Sequence, residues 1–145
     1  MKLVSIIIPC LNEESTIRKL LIALSEQSYP HDCFEVIIAD GMSTDNTRNE
    51  ILSVANLYPD LHVSIIDNHQ VQIPHALNCA IQQAKGEYIV RLDAHSIPNP
   101  DYIEKCVSGL ESELGDNVGG IWKIFPSTNT WIARSIASAA SSPLG

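Results

Sequence analysis

Four short runs of strand-forming residues, each followed by a helical pattern, leave this chain few folds to choose from. The runs are Leu3 to Ile8, Phe34 to Ala39, His62 to Ile66 and Glu87 to Leu92. Most of their length is apolar, as expected for parallel strands buried on both faces. After the first run, Asn12-Glu13-Glu14 opens a helical pattern carrying Ile17, Leu20, Leu21 and Leu24. Asn12 suits the N-cap, and the glutamates suit the positive end of the helix. A second helix follows the turn Asp40 to Thr47 and runs to about Leu57. A third has Pro74 in its first turn and runs to Ala84, where Gly86 stops it. Pro98-Asn99-Pro100 breaks the chain, and a helix is expected from Asp101 to Leu114. Val118 to Phe125 reads as a strand weakened by two glycines, and Thr130 to Ala140 as a helix with Trp131, Ile132 and Ile136 on one stripe. Strands alternating with helices predict an α/β fold with a mostly parallel sheet flanked by helices on both faces.

At 145 residues, with 45% hydrophobic and 18% charged residues, the chain can bury the core of one domain. The net charge is −8, from nine Lys+Arg against seventeen Asp+Glu, and no basic cluster stands out. That argues against nucleic acid as a partner and against simple docking to an anionic membrane. Cys10, Cys33, Cys79 and Cys106 form no CxxC pair, so free thiols packed in apolar stretches are expected. No apolar run approaches membrane-spanning length. Free thiols suit a cytoplasmic location, at the inner face of the membrane if a longer protein carries an anchor. The chain stops soon after a helix, at Ser141 to Gly145, which reads as the interruption of a longer protein. Any membrane association would then come only from a missing C-terminal region.

Polar residues gather at three of the predicted strand ends. Pro9-Cys10-Leu11-Asn12-Glu13-Glu14 leads from a strand into a helix start, where a phosphate or polar heterocycle can sit. Ordinary helix capping explains the same residues. Asp40-Gly41 with Ser43, Thr44 and Asp45 offers a carboxylate to a base N–H, and Gly41 allows close backbone approach. A tight turn with a hydroxyl cap is the plainer alternative. Asp93-Ala94-His95 places a carboxylate and an imidazole two residues apart, on the same side if the backbone is extended. Together they form a two-point grip for a divalent cation, with a diphosphate supplying the remaining ligands. The alternative is a solvated turn. Arg91 either binds phosphate or pairs with a nearby carboxylate. GxGxxG and GxxxxGK[ST] are both absent, which weighs against dinucleotide dehydrogenases and ATPases.

In this order the three sites resemble family 2 glycosyltransferases, which have the GT-A (nucleotide-diphospho-sugar transferase) fold. The resemblance rests on Ser5 to Glu14, Ile37 to Thr47 and Ala76 to His95, and covers nearly the whole chain. Asp-Ala-His with Val71-Gln72 upstream is similar to the succinoglycan-biosynthesis-type branch. The resemblance implies that Pro9, Asn12 and Glu13 or Glu14 line a nucleotide pocket. It places Asp40 and Gly41 at the base, usually uracil, with Ser43 nearby. It also places Asn78 and Arg91 close to the diphosphate or sugar, Asp93 on the ribose or sugar side, and His95 with Asp93 on Mn²⁺ or Mg²⁺. Its implied partners are a nucleotide-diphosphate sugar donor, UDP-sugar first, and a glycan or lipid-linked acceptor in cell-surface or exopolysaccharide synthesis. The family more often has a carboxylate where this chain has His95. The imidazole tilts the choice towards Mn²⁺. Met42 also stands where serine commonly follows Asp-Gly. The family's catalytic base, a later Asp or Glu, has no match before Gly145, so the fragment alone is expected to be inactive. Two alternatives stay open: a nucleotidyltransferase that makes sugar nucleotides, and a non-catalytic nucleotide-binding module. Trp122 and Trp131 are expected in core or interface packing, ahead of an acceptor groove.

Overall fold

The computed structural model of the chain describes residues 1–121 and 129–140. Its sheet has four parallel strands: β1 (Val4–Cys10), β2 (Phe34–Asp40), β3 (Val63–Asp67) and β4 (Tyr88–Arg91), in the order β3-β2-β1-β4. Five α-helices, α1 (Ile17–Ser25), α2 (Thr47–Leu57), α3 (Ile73–Gln83), α4 (Tyr102–Glu111) and α5 (Trp131–Ala140), and a 3₁₀ turn at His31–Cys33 accompany it among the described residues. This is the predicted α/β architecture.

Alternation along the strands sorts the core. Val4, Ile6, Ile8 and Cys10 of β1 point to one face, with Phe34, Val36 and Ile38 of β2 and Val90 of β4. They pack against Ile17, Leu20, Leu21 and Leu24 of α1, Ile51 and Val54 of α2, and Ile103 and Val107 of α4. Ile7, Ile37 and Ala39 point the other way, onto Ala76 and Ala80 of α3. Both faces of the central strands are therefore buried, which is why their sequences lack polar alternation.

Several boundaries differ from expectation, each for a local reason. Pro9 lies inside β1, opposite Ala39. The Ile7 carbonyl accepts from Leu92 and the Cys10 carbonyl from Gly41, so odd residues of β1 face β4. Pro9's missing donor falls beyond the last β1–β4 pair, Ile7 with Arg91, where no ladder bond is lost. Asn12 is not the cap of α1, which begins five residues later with Thr16 at the N-cap. Asn12 has φ 53° and works in a loop instead. The fourth helix is shorter than expected, ending at Glu111. Residues 118–121 form no strand, and the rest of the expected strand, with Trp122, lies outside the described residues. Trp131 is 77% exposed, so it is not a core residue. Cys10 and Cys106 are buried, Cys33 and Cys79 are half-buried, and all four are free thiols. Among the described residues no helix is long and apolar enough to cross a membrane.

Gly86 does not end α3 through a left-handed cap, since no described glycine has positive φ. Its reason is space: a Cβ there would lie 2.4 Å from the Ser5 backbone nitrogen. Gly86 also donates its N–H to the Ser5 hydroxyl at 2.8 Å, which fixes the entry of β4 beside β1. Gly86→Ala should therefore destabilise the fold by about 1–3 kcal/mol, because the obstacle is backbone. Thermal unfolding checks this, and an unchanged Tm would mean that β4 can shift away without loss.

Candidate functional site

The predicted site residues collect at the carboxyl ends of the strands, where open α/β sheets bind ligands. Hydrogen bonds tie the β1–α1 loop to the β2–α2 loop. Asn12 N–H donates to the Ser43 hydroxyl at 2.8 Å, and Thr44 N–H donates to Asn12 Oδ1 at 2.9 Å. Glu13 N–H donates to Thr47 Oγ1 at 2.8 Å, and Glu14 N–H to Asp45 Oδ2 at 3.2 Å. Asn46 N–H returns one to Glu14 Oε2 at 2.8 Å. Asn12, Glu14, Ser43 and Thr44 thus make no side-chain cap to their own helices. They join two loops across about thirty residues of sequence, and that explains the left-handed backbone at Asn12 and, opposite it, Met42 at φ 63°.

Asp40 ends β2 and is fully buried. A buried carboxylate needs donors, and it has three. Ser43 donates its hydroxyl to Oδ1 at 2.5 Å and its N–H to Oδ2 at 3.1 Å. The third is Arg48, in the first turn of α2, whose Nε–H reaches Oδ2 at 2.6 Å. The same guanidinium donates to Asp67 Oδ1 at 2.5 Å. Asp67 is paired with Asp40 in the strand register, so Arg48 bridges two adjacent strand ends. The hydrogen bonds to Asp67 and then Asp40 raise the Arg48 pKa, and Arg48 holds the Asp67 carboxyl below its usual range. Sequence reading missed Arg48. Its only signal was the need of a strand-end aspartate for a countercharge. Gly41 is tucked under Leu11, whose Cδ1 would lie 3.3 Å from an added Cβ.

Past β4 the chain leaves extended geometry. A turn closes at Asp93 to Ser96, where Ser96 N–H and Oγ both donate to the Asp93 carbonyl. Burial still alternates: Leu92, Ala94 and Ser96 are buried, while Asp93 and His95 face outward. The two side chains are open to solvent together, although extended backbone is not the cause. His95 Nδ1 lies 3.6 Å from Glu13 Oε1, which brings the end of β4 to the β1 loop. Arg91 pairs with Asp93 at 3.0 Å, so here it takes the carboxylate reading. Asn78 is exposed on α3 and makes no side-chain bond to the other site residues. Pro9 is half-buried at the end of β1.

The site is anionic. Burial, followed by Asp40, Glu13 and Asp45, pushes the Cys10 thiol up to about 12. Burial alone would raise the Asp45 carboxyl, but bonds from Thr47 and the Glu14 N–H outweigh it and hold that carboxyl below its usual range. Both nearby arginines, Arg48 and Arg91, are engaged with carboxylates. A diphosphate arriving here needs added positive charge. Asp93 and His95 fit that need as part of a cation's donor set, being an oxygen and a nitrogen ligand type, outward-facing and adjacent. Among the described residues no group of three or more His, Cys, Asp or Glu could hold a metal by itself. The remaining ligands would have to come from the bound molecule and water.

A parallel sheet with its polar loops and the outward pair Asp93 and His95 at the carboxyl edge defines an α/β domain of the GT-A type. Solved structures agree: a mannosyltransferase from Pyrobaculum calidifontis, in complex with GDP-Man and Mn²⁺, superposes with TM-score 0.72 at 34% identity, over 75% of this chain and 32% of that one. The family model described as Glycosyl transferase family 2 matches residues 5–143, and the chain belongs to that family. The succinoglycan biosynthesis protein ExoA of Rhizobium meliloti is 36% identical over 78% of this chain and 34% of its own length. A Methanococcus voltae dolichyl N-acetyl-alpha-D-glucosaminyl phosphate 3-beta-D-2,3-diacetamido-2,3-dideoxy-beta-D-glucuronosyltransferase is 31% identical over 95% of this chain and 45% of its own. The chain thus spans between about a third and a half of the length of these relatives.

Proposed function

We propose that the chain is the donor-binding part of a metal-dependent, inverting glycosyltransferase. It would take a nucleotide-diphosphate sugar, UDP-sugar first, and serve transfer to a glycan or lipid-linked acceptor in cell-surface polysaccharide synthesis. The observation that carries this is the meeting of three strand ends: the tied β1 and β2 loops, and the outward Asp93 and His95 with His95 beside Glu13. Relatives at a third identity, one described with a nucleotide sugar and Mn²⁺, support the same reading.

In this reading the loop pocket around Pro9, Asn12, Glu13, Glu14, Asp40, Gly41 and Ser43 holds the nucleotide, and binding energy spent there positions the sugar. Asp93 and His95 would hold a divalent cation, Mn²⁺ over Mg²⁺ because imidazole is the softer ligand; bound there, it neutralises the departing diphosphate. Arg91, released from Asp93 as that carboxylate turns to the cation, would swing to a phosphate oxygen. The acceptor hydroxyl needs a general base, and no residue of this chain matches the family's. The nucleotidyltransferase alternative would need a basic, glycine-rich loop after β1, whereas that loop carries Glu13 and Glu14. Calorimetry tests the proposal: UDP or GDP should bind at least about tenfold more tightly with Mn²⁺ than with EDTA, since the loss of even an outer-shell partner of a metal costs that much. Equal binding in the two buffers would remove the metal from the function.

A further inference from the structure

The Asp40 carboxylate has about four acceptor positions, two on each oxygen. Ser43 N–H and Arg48 Nε–H occupy both positions on Oδ2. Oδ1 receives only the Ser43 hydroxyl. One acceptor position is left, on one oxygen. We propose that Arg48 is a specificity-determining residue: by occupying Oδ2 and fixing the rotation of the Asp40 carboxylate, it selects a nucleobase that presents a single ring N–H over one that presents two adjacent donors. This deepens the donor-site reading above and rests on it.

The chemistry of the bases decides which is favoured. Uracil offers one imide N–H, flanked by carbonyl oxygens that accept. Guanine offers a ring N–H and an amino group side by side, a pair that suits a carboxylate with both oxygens open. With Oδ2 saturated, guanine's second donor would be desolvated without a partner, and that mispairing is where discrimination comes from. Arg48 is well placed to hold this setting. Its second bond, to Asp67 Oδ1, anchors the guanidinium from the neighbouring strand end. Lysine's three donors share one nitrogen on a flexible stem, so it cannot hold the two carboxylates in the fixed, spread geometry that Nε and the terminal nitrogen of Arg48 give. Asp40 is fully covered and Ser43 half-buried, so a base reaches the open position on Oδ1 as the Ser43 loop shifts, while the Ser43 hydroxyl keeps the other position. That hydroxyl still accepts from Asn12 N–H, which keeps the two loops joined.

Calorimetry of UDP and GDP in Mn²⁺ tests the proposal on the chain itself, Asp40→Asn, Arg48→Met, Arg48→Lys and Asp67→Asn, with thermal unfolding of each to confirm that it is folded. The chain should prefer UDP over GDP by about tenfold or more, as one unpaired buried donor implies. Arg48→Met and Arg48→Lys should shrink that ratio to about threefold or less, and Asp67→Asn should shrink it partway. Loss of stability alone does not change a ratio of two ligands on the same folded protein. Should Arg48→Met fail to fold, Arg48→Lys, which keeps the charge, carries the comparison. A preference for GDP in the unaltered chain, or a UDP-to-GDP ratio unmoved by the Arg48 variants, overturns the proposal. If Asp40→Asn weakens UDP while the Arg48 variants keep the ratio, only the role of Arg48 is lost. If Asp40→Asn leaves UDP binding untouched, the donor-site reading falls with it.

Discussion

Asp93→Ala should abolish the advantage that Mn²⁺ gives to nucleotide-diphosphate binding. The expected loss in the presence of metal is at least about tenfold, the lower end of what removing a metal's outer-shell partner costs, since here a direct ligand is removed. The EDTA arm sharpens the result. Arg91 is held 3.0 Å from Asp93, and the substitution frees its guanidinium. A freed arginine can bind phosphate directly. Binding in EDTA should therefore be no weaker than in the unaltered chain, so that the two buffers converge from both sides. Equal losses in both buffers would show that Asp93 shapes the pocket rather than holding a cation. His95→Ala should follow the same pattern, because the two outward side chains share one turn.

Asp40→Asn is expected to weaken nucleotide binding by about 1–3 kcal/mol, the cost of a buried group left mispaired, or roughly 5- to 150-fold. The substitution keeps the shape and removes acceptor capacity. If the amide oxygen keeps Ser43 N–H and Arg48 Nε–H, the NH₂ takes the Oδ1 position, where the Ser43 hydroxyl can accept from it but an incoming base N–H meets a second donor. The substitution also removes the buried charge that Arg48 is paired with, so unfolding must be followed beside binding. A variant that melts lower but binds UDP as before would restrict Asp40 to the architecture of the loop.

How much of this was legible before the fold was known differs by level. β1, β2, β3 and β4 could be placed within two residues because parallel strands buried on both faces cannot carry many polar side chains. Helices α1 to α4 were likewise visible as stripes, and their starts were misplaced where a polar residue had another use. Asn12 shows why. Its type is that of a cap, and only the presence of Ser43 and Thr44 across the edge of the sheet turns it into a bridge. Gly86 shows the same. Its position suggested a helix stop, while its cause is the backbone of Ser5, 81 residues away.

The order of strands and helices, the polar strand ends, the outward pair Asp93 and His95, and the family can all be read from the residues in order. Those follow from local chemistry: which stretches can be buried, which residues break a run, and which types suit a charged ligand. The burial of Asp40 with one acceptor position to spare, the span of Arg48 from Asp40 to Asp67, and the approach of His95 to Glu13 exist only once the chain is folded. Each of these depends on sheet register, which sets residues far apart in the chain side by side. The pairing of Asp40 with Asp67 is a property of two strands in contact, and no pattern within either strand encodes the arginine that joins them.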